Sequence, residues 1–381
     1  MSSTAAGHSI RADDQTRRKQ EDRIMTATHS RSTATDAVQT LQTRTARRAA
    51  AAHRVSPGPQ TSQIARGAGV TETAIATLSN DMLRLDVAPH LGGGVTRFDW
   101  RGDGALTPIF RRCDAPGART DPNELACYSL LPYSNRIGGG RFECDGRLVR
   151  VPRNRSAEPL PIHGDGWLAH WQLDDATDTQ LGLSLDRSNG APYAYRATQV
   201  YALDGATLTI ALGIENTGAT RLPFGLGVHP FIVRDASTEL AAAASGLWLS
   251  TPDWLPSRHV GAPPAWRFGI AYPLPDTLVN HAFTGWGGGA TIAWPQRRLG
   301  LTVTADADCY VLYTPPGEPF FCFEPVDHPI DAVNLPGGGA AHGMTLLAPG
   351  ERLMRRFRFT VARTDARAAP VARQSRRRAI A

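Results

Sequence analysis

The stretch Asp204-Gly205-Ala206-Thr207-Leu208-Thr209-Ile210-Ala211-Leu212-Gly213-Ile214-Glu215-Asn216-Thr217-Gly218 decides the fold class. Leu208, Ile210, Leu212 and Ile214 alternate with Thr209, Ala211 and Gly213, a period of two that one inward-facing side of a strand produces and a helix does not. Asp204-Gly205 before it and Asn216-Thr217-Gly218 after it are turn formers. The same signal recurs outward along the chain. Phe357, Phe359 and Val361 alternate with Arg356, Arg358 and Thr360, while Leu299 to Val303 and Tyr310 to Tyr313 read as further short strands. Asp145-Gly146, between Arg141-Phe142-Glu143 and Leu148 to Val151, predicts a type I′ hairpin. With 37 Gly and 28 Pro in 381 residues, helices of ordinary length have little room, and Ala241 to Ala244 is left as one short helical candidate. No fixed-period repeat is present. The expected architecture is all-β, one large antiparallel β-sandwich over residues 76–362.

Charge separates this body from its ends. The formal net charge of +6 suggests nucleic acid until it is placed: residues 1–75 carry 11 Lys+Arg against 6 Asp+Glu, and residues 363–381 carry 6 against 1. The body keeps 24 against 28 and is mildly acidic, which argues against a specific nucleic-acid partner. Both basic ends are poor in large apolar residues, and burial there does not offset ordering entropy, so disorder is expected for 1–75 and 363–381. No apolar run is long enough to span a bilayer, and no apolar segment follows the amino terminus as in a secretory signal. Five cysteines in no CxxC spacing argue against a disulfide framework or a structural zinc site; a cytoplasmic location follows as the expectation.

Four segments place reactive residues among rigid or turn-forming neighbours. In Leu131-Pro132-Tyr133-Ser134-Asn135-Arg136-Ile137-Gly138-Gly139-Gly140, the glycines are not followed by the Lys-Ser/Thr of a phosphate loop and suit positive-φ turns instead. Asn135 and Arg136 offer an amide and a fork of donors to a hydroxyl-rich ligand. Pro161-Ile162-His163-Gly164-Asp165-Gly166-Trp167, with Trp171 beyond it, sets a histidine near two indoles of the kind that stack on sugar faces. In Gly227-Val228-His229-Pro230-Phe231 the following proline biases His229 to extended backbone, and its apolar neighbours hold the ring near or below neutrality. That histidine is either a hydrogen-bonded core residue or a general acid. Phe320-Phe321-Cys322-Phe323-Glu324-Pro325 buries a carboxylate that needs a partner or a function. Glu324 is either salt-bridged, for instance to Arg136, or a tuned general base.

Taken together these segments resemble the aldose 1-epimerase (galactose mutarotase) family. The matching residues are Pro132 to Ile137 with Gly140-Arg141-Phe142, His163-Gly164 with Trp171, Gly227-Val228-His229-Pro230, and Glu324-Pro325 with Asp331-Ala332-Val333-Asn334. The resemblance covers residues 76–362 and implies the galactose mutarotase-like super-sandwich fold. It also implies Glu324 as general base and His229 as general acid, with Arg136, Asn135 and His163 binding a small-molecule sugar, and neither metal nor cofactor. One position departs. Where the family has Asp before His/Asn-x-Phe, this chain reads Asn280-His281-Ala282-Phe283, so Asn280 is expected to contact sugar without a charge-assisted acceptor. Three other readings compete: epimerisation of a hexose 6-phosphate using Arg97, Arg119 and Arg267; a non-catalytic sugar-binding or sensor module; and a zinc site of His163, His229 and Glu324.

Overall fold

The computed structural model describes residues 74–102, 104–117 and 119–364; the two basic ends expected to be disordered lie almost wholly outside them. Among the described residues strands dominate and pair antiparallel. The larger sheet runs, in spatial order, Ala76–Ser79, Leu83–Ala88, Gly94–Trp100, Cys127–Leu130, Gly227–Val233, Phe320–Val326, Cys309–Tyr313, Asn280–Thr284, Gly246–Ser250 and Pro256–Val260, with Thr107–Pro108 beside Gly94–Trp100. The second runs Tyr272–Pro273, Glu239–Ala241, Gly289–Trp294, Leu299–Ala305, Arg352–Arg363, Thr207–Asn216, Tyr195–Asp204, Gln180–Arg187 and Gln172–Ala176. The alternating stretch that decides the class is thus a central strand. It pairs with Tyr195–Asp204 on one side and Arg352–Arg363 on the other.

The inner faces of both sheets meet in one apolar core, where Phe98, Phe110 and Phe359 pack edge to face. Strands in the middle of the larger sheet are apolar on both faces. Phe321 and Phe323 point into the core, and Cys322 and Val326 join a separate cluster on the opposite face with Tyr128, Phe231, Val311 and Trp167. A strand buried on both sides reads as a continuous apolar run rather than an alternation, which is why Phe320 to Val326 carries no period-two signal. That outer cluster holds the candidate site.

Two local expectations have different outcomes. The Arg141–Cys144 and Arg147–Arg150 strands form the hairpin, with Asp145 and Gly146 both at positive φ as a type I′ turn requires. Ala241 to Ala244 is not helical. Glu239–Ala241 pairs with Gly289–Trp294, and the Ala242 amide donates to the Phe268 carbonyl, so cross-strand partners take the backbone groups a helix would use. Among the described residues the one short α-helix is Gly338–Ala341. None of the helices among the described residues is long and apolar enough to cross a membrane.

Candidate functional site

Two strands far apart in sequence bring the central pair together. The ladder between Gly227–Val233 and Phe320–Val326 pairs Gly227 with Val326 and Phe231 with Cys322, a register that sets His229 opposite Glu324. Their side chains meet on the outer face, with His229 Nε2 3.3 Å from Glu324 Oε1. His229 is 8% exposed and Glu324 2%. The other polar atom of each, His229 Nδ1 and Glu324 Oε2, is buried without a hydrogen-bond partner. Buried polar atoms are normally paired, and two orphans on adjacent side chains mark a place where an incoming group supplies the bonds.

Rings wall this pair. Tyr128, directly across from His229 on Cys127–Leu130, stacks on its imidazole at 4.7 Å, and Phe231 stacks on it at the same distance. Arg111 lies 3.8 Å over Phe231, its guanidinium donating to the Asn123 and Leu125 carbonyls. Removal from water dominates the electrostatics. Burial raises Glu324 to about 8, with Arg136 offsetting part of the rise. Burial lowers His229 to about 3; its own backbone carbonyl offsets part of the fall, and Arg111 adds to it. Both directions favour the uncharged forms, so near neutrality the pair holds one proton between a carboxyl and an imidazole.

The third side is a loop pair. The His163 amide donates to the Asn135 carbonyl at 2.9 Å, and the Asn135 amide donates to His163 Nδ1 at 3.0 Å. Accepting at Nδ1 leaves the proton of the neutral ring on Nε2. Burial holds His163 well below its ordinary pKa, and the charges of His229, Arg136 and Arg155 act in the same sense. The ring lies 5.4 Å from that of His229, edge to face. Both Asn135 (φ 56°) and His163 (φ 61°) adopt left-handed backbone, a conformation that surrounding contacts must enforce. Asn154 does so for His163: its amide donates to the Ile162 and Gly164 carbonyls while its oxygen accepts from the Ile162 amide at 3.0 Å. Gly164, at φ 65°, closes against the Leu131 carbonyl, where a Cβ would clash.

Comparison with known proteins places the chain in a family. The aldose 1-epimerase family model matches residues 75–360. The chain belongs to that family. It is 36% identical over 289 residues to YphB, an uncharacterized protein of Escherichia coli (strain K12), a match covering 73% of this chain and 95% of the relative. The crystal structure of a putative aldose 1-epimerase from Escherichia coli K12 superposes with a TM-score of 0.71 at 34% identity, covering 76% of this chain and 99% of the other. A GalM/aldose epimerase homologue from C. elegans shares the fold, with a TM-score of 0.66 at 14% identity over 77% of this chain and all of its own.

Of the residues expected at the site of this aldose 1-epimerase family member, Glu324, His229, His163 and Asn135 are brought together. Arg136 is close enough for its charge to act on Glu324 and His163, but its ion pair is with Glu158 at 3.0 Å. The alternative of a Glu324–Arg136 salt bridge is therefore not realised, and His229 is the neighbour of Glu324. Asn280 lies on the same face in a different row: it pairs with Tyr313, which pairs with Cys322. Two strand spacings, about 10 Å, separate its backbone from that of Cys322.

The two tryptophans have another role than the one expected. Trp171 is sealed in the core and donates to the Gly166 carbonyl. Trp167 donates to the Gly164 carbonyl and stacks under Tyr128. They brace the His163 loop from below and are not open indole faces. Of the arginines considered for a phosphate, Arg97 sits within 4 Å of Asp86, Asp99 and Asp114, which spends its charge on carboxylates. Tyr128, Asn154 and Cys322 are the site residues that sequence reasoning missed. Nothing local distinguishes Tyr128, on a strand buried at every position, or Asn154.

Proposed function

We propose that this protein is an isomerase that interconverts the α and β anomers of a free aldohexose by acid and base catalysis. The observation that carries the reading is the His229–Glu324 pair at 3.3 Å, each partner with an orphaned buried polar atom. A ring-form aldose is a hemiacetal, and inverting C1 requires breaking the bond from C1 to the ring oxygen. Glu324 takes the C1 hydroxyl proton while His229 gives a proton to the ring oxygen, and the product is the open-chain aldehyde. Rotation about C1–C2 presents the other face of the carbonyl, and the reverse transfers close the ring.

The active form, carboxylate with imidazolium, has the same number of protons as the resting carboxyl–imidazole pair. Substrate hydroxyls entering the site have only to move that proton from one partner to the other. His163, with its proton on Nε2, Asn135 and Arg136 supply donors to the sugar's other oxygens. Asn280 is assigned to a hydroxyl farther along the sheet, where a neutral amide bonds either as donor or as acceptor and so discriminates less sharply than a carboxylate. The sugar acts here as a small-molecule substrate.

Polarimetry of freshly dissolved α-galactose and α-glucose, with and without purified protein, tests the reading directly. Relaxation to the anomeric equilibrium is expected to be faster with protein and to lose roughly 1,000-fold or more in Glu324→Gln while circular dichroism stays unchanged. A Glu324→Gln protein with the wild-type rate would remove Glu324 from the chemistry. Acceleration of glucose 6-phosphate alone would favour the phosphorylated substrate.

A further inference from the structure

Cys322 is the residue at the site that acid and base catalysis leaves without a role. It is fully buried, lies two residues before Glu324 on the same face of its strand, and pairs across the ladder with Phe231. One donor atom from each of His229, Cys322 and Glu324 lies within 4.8 Å of the others. We propose that these three residues bind a single borderline-soft divalent cation of the zinc type, and that the bound ion takes the acid and base out of service.

Two observations carry this. An imidazole, a thiol and a carboxylate are the donors that zinc prefers, and three protein ligands leave the fourth tetrahedral position open to water or a sugar hydroxyl. Tetrahedral zinc with ordinary bond lengths separates a nitrogen from an oxygen ligand by about 3.4 Å, and His229 Nε2 lies 3.3 Å from Glu324 Oε1.

Charge balance agrees with the geometry. One carboxylate and one thiolate neutralise a divalent ion, and the complex then sits in the apolar face without net charge. The nearby guanidinium groups of Arg111 and Arg136 repel a cation and hold the affinity below that of a closed structural zinc site. The ligand atoms that cluster are those of His229, Cys322 and Glu324, and His163 is not among them. The cation site thus differs from the His163–His229–Glu324 arrangement considered from sequence.

Binding is independent of the epimerase reading, whereas inhibition rests on it, so the two are read separately. The purified full chain, reduced and metal-free, is titrated with Cd2+ and followed by the ultraviolet charge-transfer band of a cadmium–thiolate bond; Zn2+ is then added in competition. One equivalent is expected to produce the band and Zn2+ to abolish it. Cys322→Ser is expected to lose the band and about tenfold or more in affinity, while Cys113→Ser, which removes the half-buried thiol, keeps both. His229→Asn retains the thiol and is expected to weaken binding by a similar factor, which preserves the test if Cys322→Ser does not fold. Absence of a thiolate band, or a band that survives Cys322→Ser or disappears in Cys113→Ser, overturns the site. Stoichiometric binding with unchanged mutarotation overturns the inhibition alone.

Discussion

Two His-Pro pairs lie in this chain, His229-Pro230 and His328-Pro329, and they are chemically opposite. Both rings are buried, and burial lowers both, His229 to about 3 and His328 to about 4. Burial and basicity therefore do not tell them apart. Hydrogen-bond accounting does. His328 Nε2 accepts from the Ser134 amide at 3.1 Å, and its Nδ1 donates to the Pro329 carbonyl at 2.8 Å, so both ring nitrogens are satisfied by backbone. Gly225 packs against the same ring where a Cβ would collide with it. His229 faces a carboxylate on one side and has nothing on the other. A satisfied ring is a tie between segments, and an unsatisfied one is a tool awaiting a partner.

That contrast can be broken by substitution. The largest effect is expected at the unsatisfied ring: His229→Asn should lower kcat by roughly 100-fold with a smaller change in KM, measured by polarimetry over a range of sugar concentrations. A raised KM with kcat intact would make His229 a binding residue and erase the difference in kind. Asn154→Ala is next. It removes the clamp on the backbone around His163, and kcat/KM is expected to fall by about tenfold through KM. Loss confined to thermal stability would make Asn154 purely structural.

The pH profile probes the unsatisfied ring and its carboxylate without mutation. The Glu324–His229 pair keeps its single proton from about pH 3 to about pH 8, so kcat/KM should be level near neutrality and fall as pH rises through about 8, where the general acid has lost its proton. A rate that climbs through that range would mean that carboxylate alone limits the reaction. Linkage gives the matching sign for folding. Glu324 is raised in the folded state, so its contribution to stability is full below the unfolded carboxylate pKa and is lost as pH rises through about 8. The smallest effect on turnover belongs to His328→Asn. It leaves the Ser134 amide unpaired, costs roughly 1–3 kcal/mol in denaturant unfolding, and should keep kcat within about twofold of wild type. Loss of kcat matching that of His229→Asn would show that the ties of His328 reach the chemistry.

Local sequence carried the fold and the choice of candidate residues, but not their arrangement. The alternation at Leu208 to Ile214 and the Asp145-Gly146 turn are written in neighbours one or two positions apart, and backbone sterics convert them to structure with little help. The four motifs named His229, Glu324, His163, Asn135 and Arg136 because their residue types and order match the family. What they did not contain was register: His229 meets Glu324 because two strands pair in a frame that sets Phe231 against Cys322, and the same frame brings the thiol into the cluster.

The two tryptophans and the two His-Pro pairs show where local reading stops. Trp167 and Trp171 looked like open faces in sequence and are sealed by tertiary contacts. His328 is tied to Ser134, 194 positions away along the chain. Sequence alone determined that this is a β protein with a carboxylate, two histidines and amide and guanidinium donors in family order, because those properties depend on residue type and short-range geometry. Only the tertiary structure decided which histidine is free to act, which carboxylate it faces and what holds the His163 loop, because hydrogen-bond satisfaction and burial are set by segments brought together only when the two sheets close.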